Sequence, residues 1–218
     1  MASITYADEQ LGKVLDALEE SPHNDNTILV VCGDNGYHNM EKSTWTKNIL
    51  WERAAKVPLL ISIPKQTTPG FYSKTPVGLI DLYPTLVSLC GLPNPKSHSL
   101  DGEDLTAIIK KQKQHRAKPV VTTLGRENHS IRSKHFRYIR FRNGQEELYD
   151  MQKDPWEWTN LANDPKYDSV KKRHKQYLPK TDAPDIEYFG YGHSAAQEQY
   201  GFHNISEMGK VKEELDKK

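Results

Sequence analysis

The sequence of 218 residues predicts an α/β layer followed by a small antiparallel sheet, and three observations support this prediction. An amphipathic segment opens the chain, and two short apolar runs rich in branched side chains follow it. Farther along, an Asn-Gly pair lies between apolar strand-like runs, which is the sequence signal of a tight hairpin turn. A helix and buried strands in this order are typical of a doubly wound α/β layer.

The opening segment is predicted to be a helix because its apolar residues recur at the spacing of one helix face. These residues are Ile4, Ala7, Leu11, Val14, Leu15 and Leu18. No helix-capping residue and no signal-peptide pattern precedes them. The sequence therefore predicts a chain that begins inside a larger fold.

Two continuous apolar runs, residues 28–32 and 57–63, predict strands buried on both faces, as in a parallel sheet. Residues 79–92 predict a helix that Asp81 caps and Gly91 ends. Together these elements place an α/β core within residues 1–112.

The pattern changes beyond residue 112. Strands are predicted at 120–123, near Ile131, at 136–141 and at 146–149, with a hairpin turn at 143–144. A helix is predicted at 167–177, with Val170 and His174 on one face. The sequence thus predicts a small antiparallel sheet with a helix at 113–178, followed by an extended tail at 179–218.

Composition excludes some classes of function. Thirty lysines and arginines balance 29 aspartates and glutamates, and a net charge of +1 argues against a nucleic-acid partner. No apolar run approaches the roughly 20 residues of a membrane span. The two cysteines are too few for a disulfide scaffold.

The first apolar run leads directly into a polar turn that contains Asp34 and Asn35. Ligands of open α/β sheets bind at strand ends, and carboxylate and amide oxygens suit calcium or magnesium. The glycines on either side, Gly33 and Gly36, allow a sharp bend there. The alternative is an ordinary turn, which Asp-Asn-Gly also favours. Lys47, farther along the same loop, gives weight to the metal-site interpretation.

At this point the sequence resembles the sulfatase family of the alkaline phosphatase superfamily, most closely its iduronate-2-sulfatase-like branch. The resemblance begins at residues 33–42 (Gly-Asp-Asn-Gly-Tyr-His-Asn-Met-Glu-Lys), continues through Trp45-x-Lys47 and Trp51-Glu52, and spans about residues 2–178 in the family's order. Further matching segments are Asp81-Leu82-Tyr83-Pro84-Thr85-Leu86, Leu100-Asp101-Gly102, Glu147-Leu148-Tyr149-Asp150 and Asp154-Pro155-x-Glu157.

The resemblance implies part of a three-layer αβα sandwich and a hydrolase for sulfate esters of carbohydrates. Such enzymes use a formylglycine nucleophile and a divalent cation, usually calcium, with magnesium as the alternative. By position, Asp34 and Asn35 would bind the metal, and Lys47 would contact the sulfate. His38 is a candidate for leaving-group protonation, or else a loop histidine bonded to backbone.

Two further residues, Arg126 and His129, are candidates for substrate contact, with a solvated hairpin edge as the alternative. Neither cysteine lies in the C-x-P-S-R motif from which the family makes formylglycine. The chain therefore resembles only the carboxyl-terminal half of a sulfatase, with the formylglycine expected in the missing amino-terminal half, and the isolated chain is predicted to be inactive.

Two other hypotheses remain open. One is a phosphate or phosphonate ester hydrolase of the same superfamily; the other is a non-catalytic chain that self-associates through its incomplete core. The resemblance also implies that the full-length protein is periplasmic, secreted or lysosomal.

Overall fold

The structure, a computed structural model, describes residues 2–96, 99–111 and 115–183. Its helices are α1 (Ala2–Glu19), α2 (Glu52–Ala55), α3 (Leu82–Leu89), α4 (Thr106–Ile109) and α5 (Asp168–Lys175). Its strands are β1 (Leu29–Cys32), β2 (Leu59–Ser62), β3 (Val120–Thr123), β4 (His129–Arg132), β5 (Phe136–Arg140) and β6 (Glu146–Asp150). The predicted boundary at residue 112 and the predicted tail beyond residue 183 lie outside the described residues. No described helix is long and apolar enough to cross a membrane.

The opening segment forms the predicted helix, but α1 buries none of its residues. Its apolar stripe faces outward, with Ile4 and Val14 both more than 60% exposed. An amphipathic helix is stabilised mainly by packing its apolar face, and the described part of the chain supplies no cover for this one.

The strands β1 and β2 pair antiparallel, with Leu29 opposite Ser62 and Cys32 opposite Leu59. The expectation of a parallel pair buried on both faces was therefore wrong. Alternate residues of β2 are exposed, including Leu60. Continuous apolar character does not specify strand direction, because both directions use the same pleated backbone.

The predicted helix at 79–92 is shorter and is capped differently. A 3₁₀ turn over Leu79–Asp81 precedes α3, and the Asp81 side chain does not cap α3. Instead it accepts hydrogen bonds from the Gly78 and Glu103 amides and from Arg116, and it is fully buried. This carboxylate therefore joins three segments, whereas a cap would join only one turn. Gly91 ends the helix at φ +63° as predicted.

The antiparallel sheet forms as predicted, in the order β3-β4-β5-β6. Gly144 in the hairpin has φ +89°, which explains the Asn-Gly pair. One face of the sheet packs through Ile131, Tyr138 and Leu148 against Val170 of α5. The other face, with Ile139 and Tyr149, packs against Leu50. The sheet is thus covered on both sides, and its second face contacts the segment that leads into α2.

Candidate active site

The turn after β1 carries Asp34, and backbone hydrogen bonds hold it in place. The Gly33 amide donates to the Pro58 carbonyl at 3.2 Å, and the Gly36 amide donates to the Ala54 carbonyl at 2.8 Å. A Cβ at Gly36 would lie 2.0 Å from the Arg53 carbonyl oxygen, so only glycine fits. The turn is therefore fixed against α2, and the Asp34 side chain is left exposed at the strand end.

The donor set of this turn suits a hard cation but is incomplete. Asp34 supplies a side-chain carboxylate and Asn35 supplies a side-chain amide oxygen. The backbone N–H of Asn35 donates to Asp34 Oδ1 at 2.9 Å. Calcium takes about six to eight oxygen ligands. The described residues contain no group of three or more histidine, cysteine or acidic side chains that could hold a metal. The turn fits the metal as a contributor of two ligands.

Lys47 lies at the end of a loop that folds back on itself after the turn. The His38 amide donates to the Thr46 carbonyl and the Met40 amide donates to the Thr44 carbonyl, each at 2.9 Å. Lys47 thus follows directly on a residue bonded to the start of the loop, and it is exposed. Within the described residues no ion pair occupies its amine.

His38 is buried and holds the loop together. Its Nδ1 lies 3.0 Å from Thr44 Oγ1 and 3.1 Å from the Glu41 carbonyl, and only 2% of the residue is exposed. Its Nε2 has no hydrogen-bond partner among the described residues. Burial lowers the pKa of His38, so the ring is neutral near pH 7. The side chain is placed to position the loop.

Arg126 and His129 lie on the β3–β4 hairpin. Arg126 is exposed and pairs with its neighbour Glu127 at 3.2 Å. His129 is buried, which rules out the solvated-edge alternative for this residue; its Nδ1 contacts Thr123 Oγ1 at 2.9 Å and its Nε2 contacts Asp182 at 3.2 Å. In the described part of the chain, neither residue bonds to the loop of Asp34 and Lys47.

A buried ionic cluster, which sequence reasoning had not singled out, connects α2 to the sheet. Glu52 pairs with Arg132 at 3.0 Å and, at closer range, with Arg137. Arg137 also lies 3.0 Å from Glu157 Oε1, without hydrogen-bond geometry, and donates to the Leu50 carbonyl at 2.8 Å. Glu157 in turn accepts a hydrogen bond from the Glu52 amide at 2.8 Å.

The two carboxylates of this ionic cluster have opposite pKa shifts. Burial alone would raise the pKa of Glu52, but the guanidiniums of Arg137 and Arg132 overcome it and lower the pKa to about 2. Burial raises the pKa of Glu157 to about 7 despite the nearby Arg137. The strand pattern contained a signal of this cluster, because Arg137 shares a face with Ile139 and a buried arginine needs a partner.

A second contact joins the loop to the sheet. The Lys42 amine donates to the Tyr149 hydroxyl at 3.0 Å and lies 4.5 Å from the centroids of both the Trp51 and Tyr149 rings. Trp51 Nε1 donates to Glu147 at 2.7 Å. The candidate loop is therefore attached to β6 by an aromatic cage around a lysine, a form of cation–π contact.

Comparison with known proteins shows the class to which this fold belongs. Residues 40–183 match the family described as N-sulphoglucosamine sulphohydrolase, C-terminal. The chain belongs to this family of sulfatases. Its structure also resembles solved sulfatases, which confirms the predicted alkaline phosphatase-like fold.

Two relatives show how much of a whole sulfatase this chain covers. The chain is 38% identical over 183 residues to a sulfatase of Formosa agariphila, covering 84% of this chain and 36% of the relative. It is 33% identical over 186 residues to a Delta 4,5-hexuronate-2-O-sulfatase of Bacteroides thetaiotaomicron, covering 78% and 37%. The chain thus spans about a third of the length of these relatives.

Two solved structures are similar at the level of fold and sequence. One is BT4656 in complex with its substrate D-glucosamine-2-N,6-O-disulfate, with TM-score 0.69, 26% identity, and coverage of 91% of this chain and 40% of that one. The other is a phosphonate monoester hydrolase of Agrobacterium radiobacter, with TM-score 0.63, 26% identity, and coverage of 80% and 38%.

Proposed function

We propose that this chain contributes the carboxyl-terminal part of a sulfatase active site that hydrolyses sulfate esters of carbohydrates. One observation carries the proposal: the turn of Asp34 and Asn35 is fixed at a strand end, within a chain whose residues 40–183 match a sulfatase family. The named activities of relatives on hexuronate and glucosamine sulfates support a sulfated carbohydrate as substrate.

In this proposal Asp34 and Asn35 bind a divalent cation, calcium or alternatively magnesium. When bound, such a cation stabilises negative charge that develops on the sulfate. Lys47 contributes a further positive charge to a sulfate oxygen, because this residue is exposed on the same loop. Arg126 is the more accessible of the two residues proposed to contact the sugar, since both ring nitrogens of His129 are occupied.

The role of His38 as an acid requires a protonated ring that reaches the ester oxygen. The lowered pKa and the burial of the ring instead favour positioning of the loop that ends at Lys47. We retain leaving-group protonation as a proposal that needs Nε2 to be uncovered. A His38→Asn variant separates the two roles, since an acid role predicts loss of the basic limb of the pH–rate profile.

The experiment that tests this function measures turnover of an aryl sulfate by a protein carrying this chain as its carboxyl-terminal part, with the formylglycine supplied by the preceding half. Asp34→Ala and Lys47→Ala are each expected to lower kcat/KM by about 100-fold or more, as for loss of a group that stabilises transition-state charge. Lys56→Ala removes a nearby exposed lysine and serves as the control. Unchanged kcat/KM in Asp34→Ala would contradict the proposal.

The chain alone is expected to be inactive on aryl sulfates, because neither cysteine lies in a formylglycine motif. Calorimetry with calcium tests the metal site in that chain without any turnover. Weak binding that Asp34→Ala abolishes and Asp25→Ala leaves intact is the expected result. Turnover by the chain alone that Lys47→Ala abolishes would refute the expected inactivity.

A second candidate function is hydrolysis of phosphate or phosphonate esters. The structural similarity to a phosphonate monoester hydrolase favours it, since the metal scaffold is shared. Parallel assays on aryl sulfate and aryl phosphate distinguish the two, with the faster turnover identifying the class. A non-catalytic, self-associating chain is the third hypothesis, and light scattering showing a compact monomer would count against it. Export to the periplasm, cell exterior or lysosome remains a proposal from the resemblance.

A further inference from the structure

The candidate loop, residues 38–47, contains three residues with left-handed backbone conformations. Met40 has φ +77°, Lys42 has φ +53° and Ser43 has φ +57°. A side chain at positive φ costs free energy because its Cβ crowds the backbone, and such residues persist only where the surrounding structure holds them. Met40 and Ser43 are both exposed, so packing of their side chains offsets little of this cost. The strained stretch therefore depends on other contacts.

Hydrogen bonds within the candidate loop specify its shape. The Met40 amide donates to the Thr44 carbonyl at 2.9 Å, and the Ser43 amide donates to the Met40 carbonyl at 3.1 Å. Both bonds join residues that are close neighbours along the chain. They close the turn on itself, and a contact with a distant segment is needed to hold the turn against the rest of the protein.

Lys42 makes such a contact with β6. Its amine donates to the Tyr149 hydroxyl at 3.0 Å and lies 4.5 Å from the centroids of the Trp51 and Tyr149 rings. Glu147 orients both rings, because its Oε2 accepts from Trp51 Nε1 at 2.7 Å and from the Tyr149 hydroxyl at 2.9 Å. A lysine cation is attracted to each aromatic face that it contacts. We call this arrangement the lysine cage.

The lysine cage and the strained backbone depend on each other, because Lys42 itself has one of the left-handed conformations. A different φ at Lys42 would direct its amine away from Trp51 and Tyr149. Loss of the cage would in turn remove a contact that holds the strained stretch, and the loop would populate other conformations more often. The cage thus favours one conformation of the candidate loop.

Lys47 is connected to the strained stretch through the backbone. The Thr46 carbonyl, directly before Lys47, accepts a hydrogen bond from the His38 amide at 2.9 Å. A change of conformation between these two ends of the loop would therefore alter the position of Lys47. A misplacement of about 1 Å can lower the rate of an enzyme about 100-fold, so a group that stabilises transition-state charge needs such a support.

We propose that Lys42 is a positioning residue, whose amine in the lysine cage holds the candidate loop in the conformation that presents Lys47 to the sulfate. Lys42 acts through Lys47, since its own amine is directed to β6. The inference rests on the proposed function, in which Lys47 contacts a sulfate oxygen. It adds that the carboxyl-terminal sheet, through Glu147 and Tyr149, takes part in placing a group of the active site.

The first measurement is amide hydrogen exchange in this chain. Lys42→Met keeps the approximate length of the side chain and removes its charge. Exchange of the His38 and Met40 amides is expected to become about tenfold faster, while the amides of β5 change less than about twofold, because the variant favours local opening. Equal acceleration of the loop and β5 amides would overturn the proposal, since Lys42 would then stabilise only the fold as a whole.

The second measurement is turnover of an aryl sulfate by a protein that carries this chain as its carboxyl-terminal part. Lys42→Met is expected to lower kcat/KM about tenfold, but less than about twofold when Lys47→Ala is already present, because a positioning residue has no effect once the group that it positions is absent. Lys56→Met changes an exposed lysine and is the matched control, with kcat/KM expected to stay within about twofold of the parent. An equal effect of Lys42→Met with and without Lys47→Ala would overturn the proposal.

Glycine substitutions provide a rescue that does not rebuild the lysine cage. Met40→Gly with Ser43→Gly removes the cost of positive φ at two exposed positions. Added to Lys42→Met, this pair is expected to raise kcat/KM about threefold or more, because glycine adopts the left-handed conformation readily. No recovery would overturn the proposal.

The same assay distinguishes failure of this inference from failure of the proposed function. If Lys47→Ala lowered kcat/KM and Lys42→Met did not, the positioning role alone would be wrong. If Lys47→Ala left kcat/KM unchanged, the proposed contact with sulfate would be wrong, and the role of Lys42 with it.

Discussion

Replacing Arg137 with methionine is expected to destabilise the protein more than any surface charge substitution. Arg137 is 2% exposed and donates to the Leu50 carbonyl at 2.8 Å and to Ser130 Oγ at 2.6 Å. It also lies between the carboxylates of Glu52 and Glu157. Methionine keeps a similar length but leaves both carboxylates and a carbonyl without this partner.

Breaking a buried ion pair by removing one partner typically costs about 3 to 5 kcal/mol, and we expect a loss in that range. Arg132 remains near Glu52, which places the expected value toward the lower end. Arg140→Met is the matched control on the same strand, because its side chain is 40% exposed and its partner Glu146 retains Lys175. An exposed pair contributes about 1 kcal/mol or less.

The assay is urea denaturation followed by circular dichroism, with m-values compared to confirm a common unfolded state. Amide hydrogen exchange at α2 and β5 would show in addition whether the two elements separate locally before global unfolding. If Arg137→Met lost less than about 1 kcal/mol, or no more than Arg140→Met, the ionic cluster would not stabilise the fold in the way its geometry indicates.

Two further predictions concern stability. Gly36→Ala places a Cβ against the Arg53 carbonyl and is expected to lower the free energy of unfolding by about 1–3 kcal/mol, as overpacking does, and to weaken calcium binding at the adjacent turn. Gly12→Ala lies in open space on α1 and is expected to raise the free energy of unfolding by about 0.5–1 kcal/mol. Equal effects of the two substitutions would contradict the steric argument. Glu157→Gln tests the raised pKa: a proton on Glu157 stabilises the fold fully below about pH 4.5, and this contribution is lost as pH rises through about 7. Urea titrations should show that the free energy of unfolding of the variant, relative to that of the parent protein, is higher at about pH 8 than at about pH 4.5. A difference that does not change with pH would refute the raised pKa.

Local signals predicted the local parts of the fold correctly. Asn143 and Gly144 specified the turn between β5 and β6, and Gly144 has the positive φ that this turn needs. The face shared by Val170 and His174 followed from helical spacing, and both residues are buried. The parallel direction predicted for β1 and β2 was wrong, because the direction of pairing depends on the chain outside either strand.

In the candidate site, too, the local turn could be predicted from the sequence and the long-range contacts could not. The turn of Asp34 and Asn35 was predictable, since it follows an apolar run directly and is flanked by glycines, of which Gly36 is needed for the close approach to Arg53. The bond from Arg137 to Glu52 joins residues 85 positions apart, and no spacing rule connects them. What the sequence did offer was one charged residue on a strand face that is otherwise apolar, which predicts burial with a partner but not which partner.

The ionic cluster also imposes an order on folding during synthesis. The Glu52 amide bonds to Glu157, which is 105 residues later in the chain. At a translation rate of about 5–20 residues per second, Glu52 leaves the ribosome roughly 5 to 20 s before that partner leaves it. During this interval the candidate loop and α2 lack the sheet that anchors them, and their exposed apolar side chains are open to other contacts. The sheet of β3 to β6 is therefore synthesised after the candidate loop and α2, and these earlier segments gain their contacts with it only then.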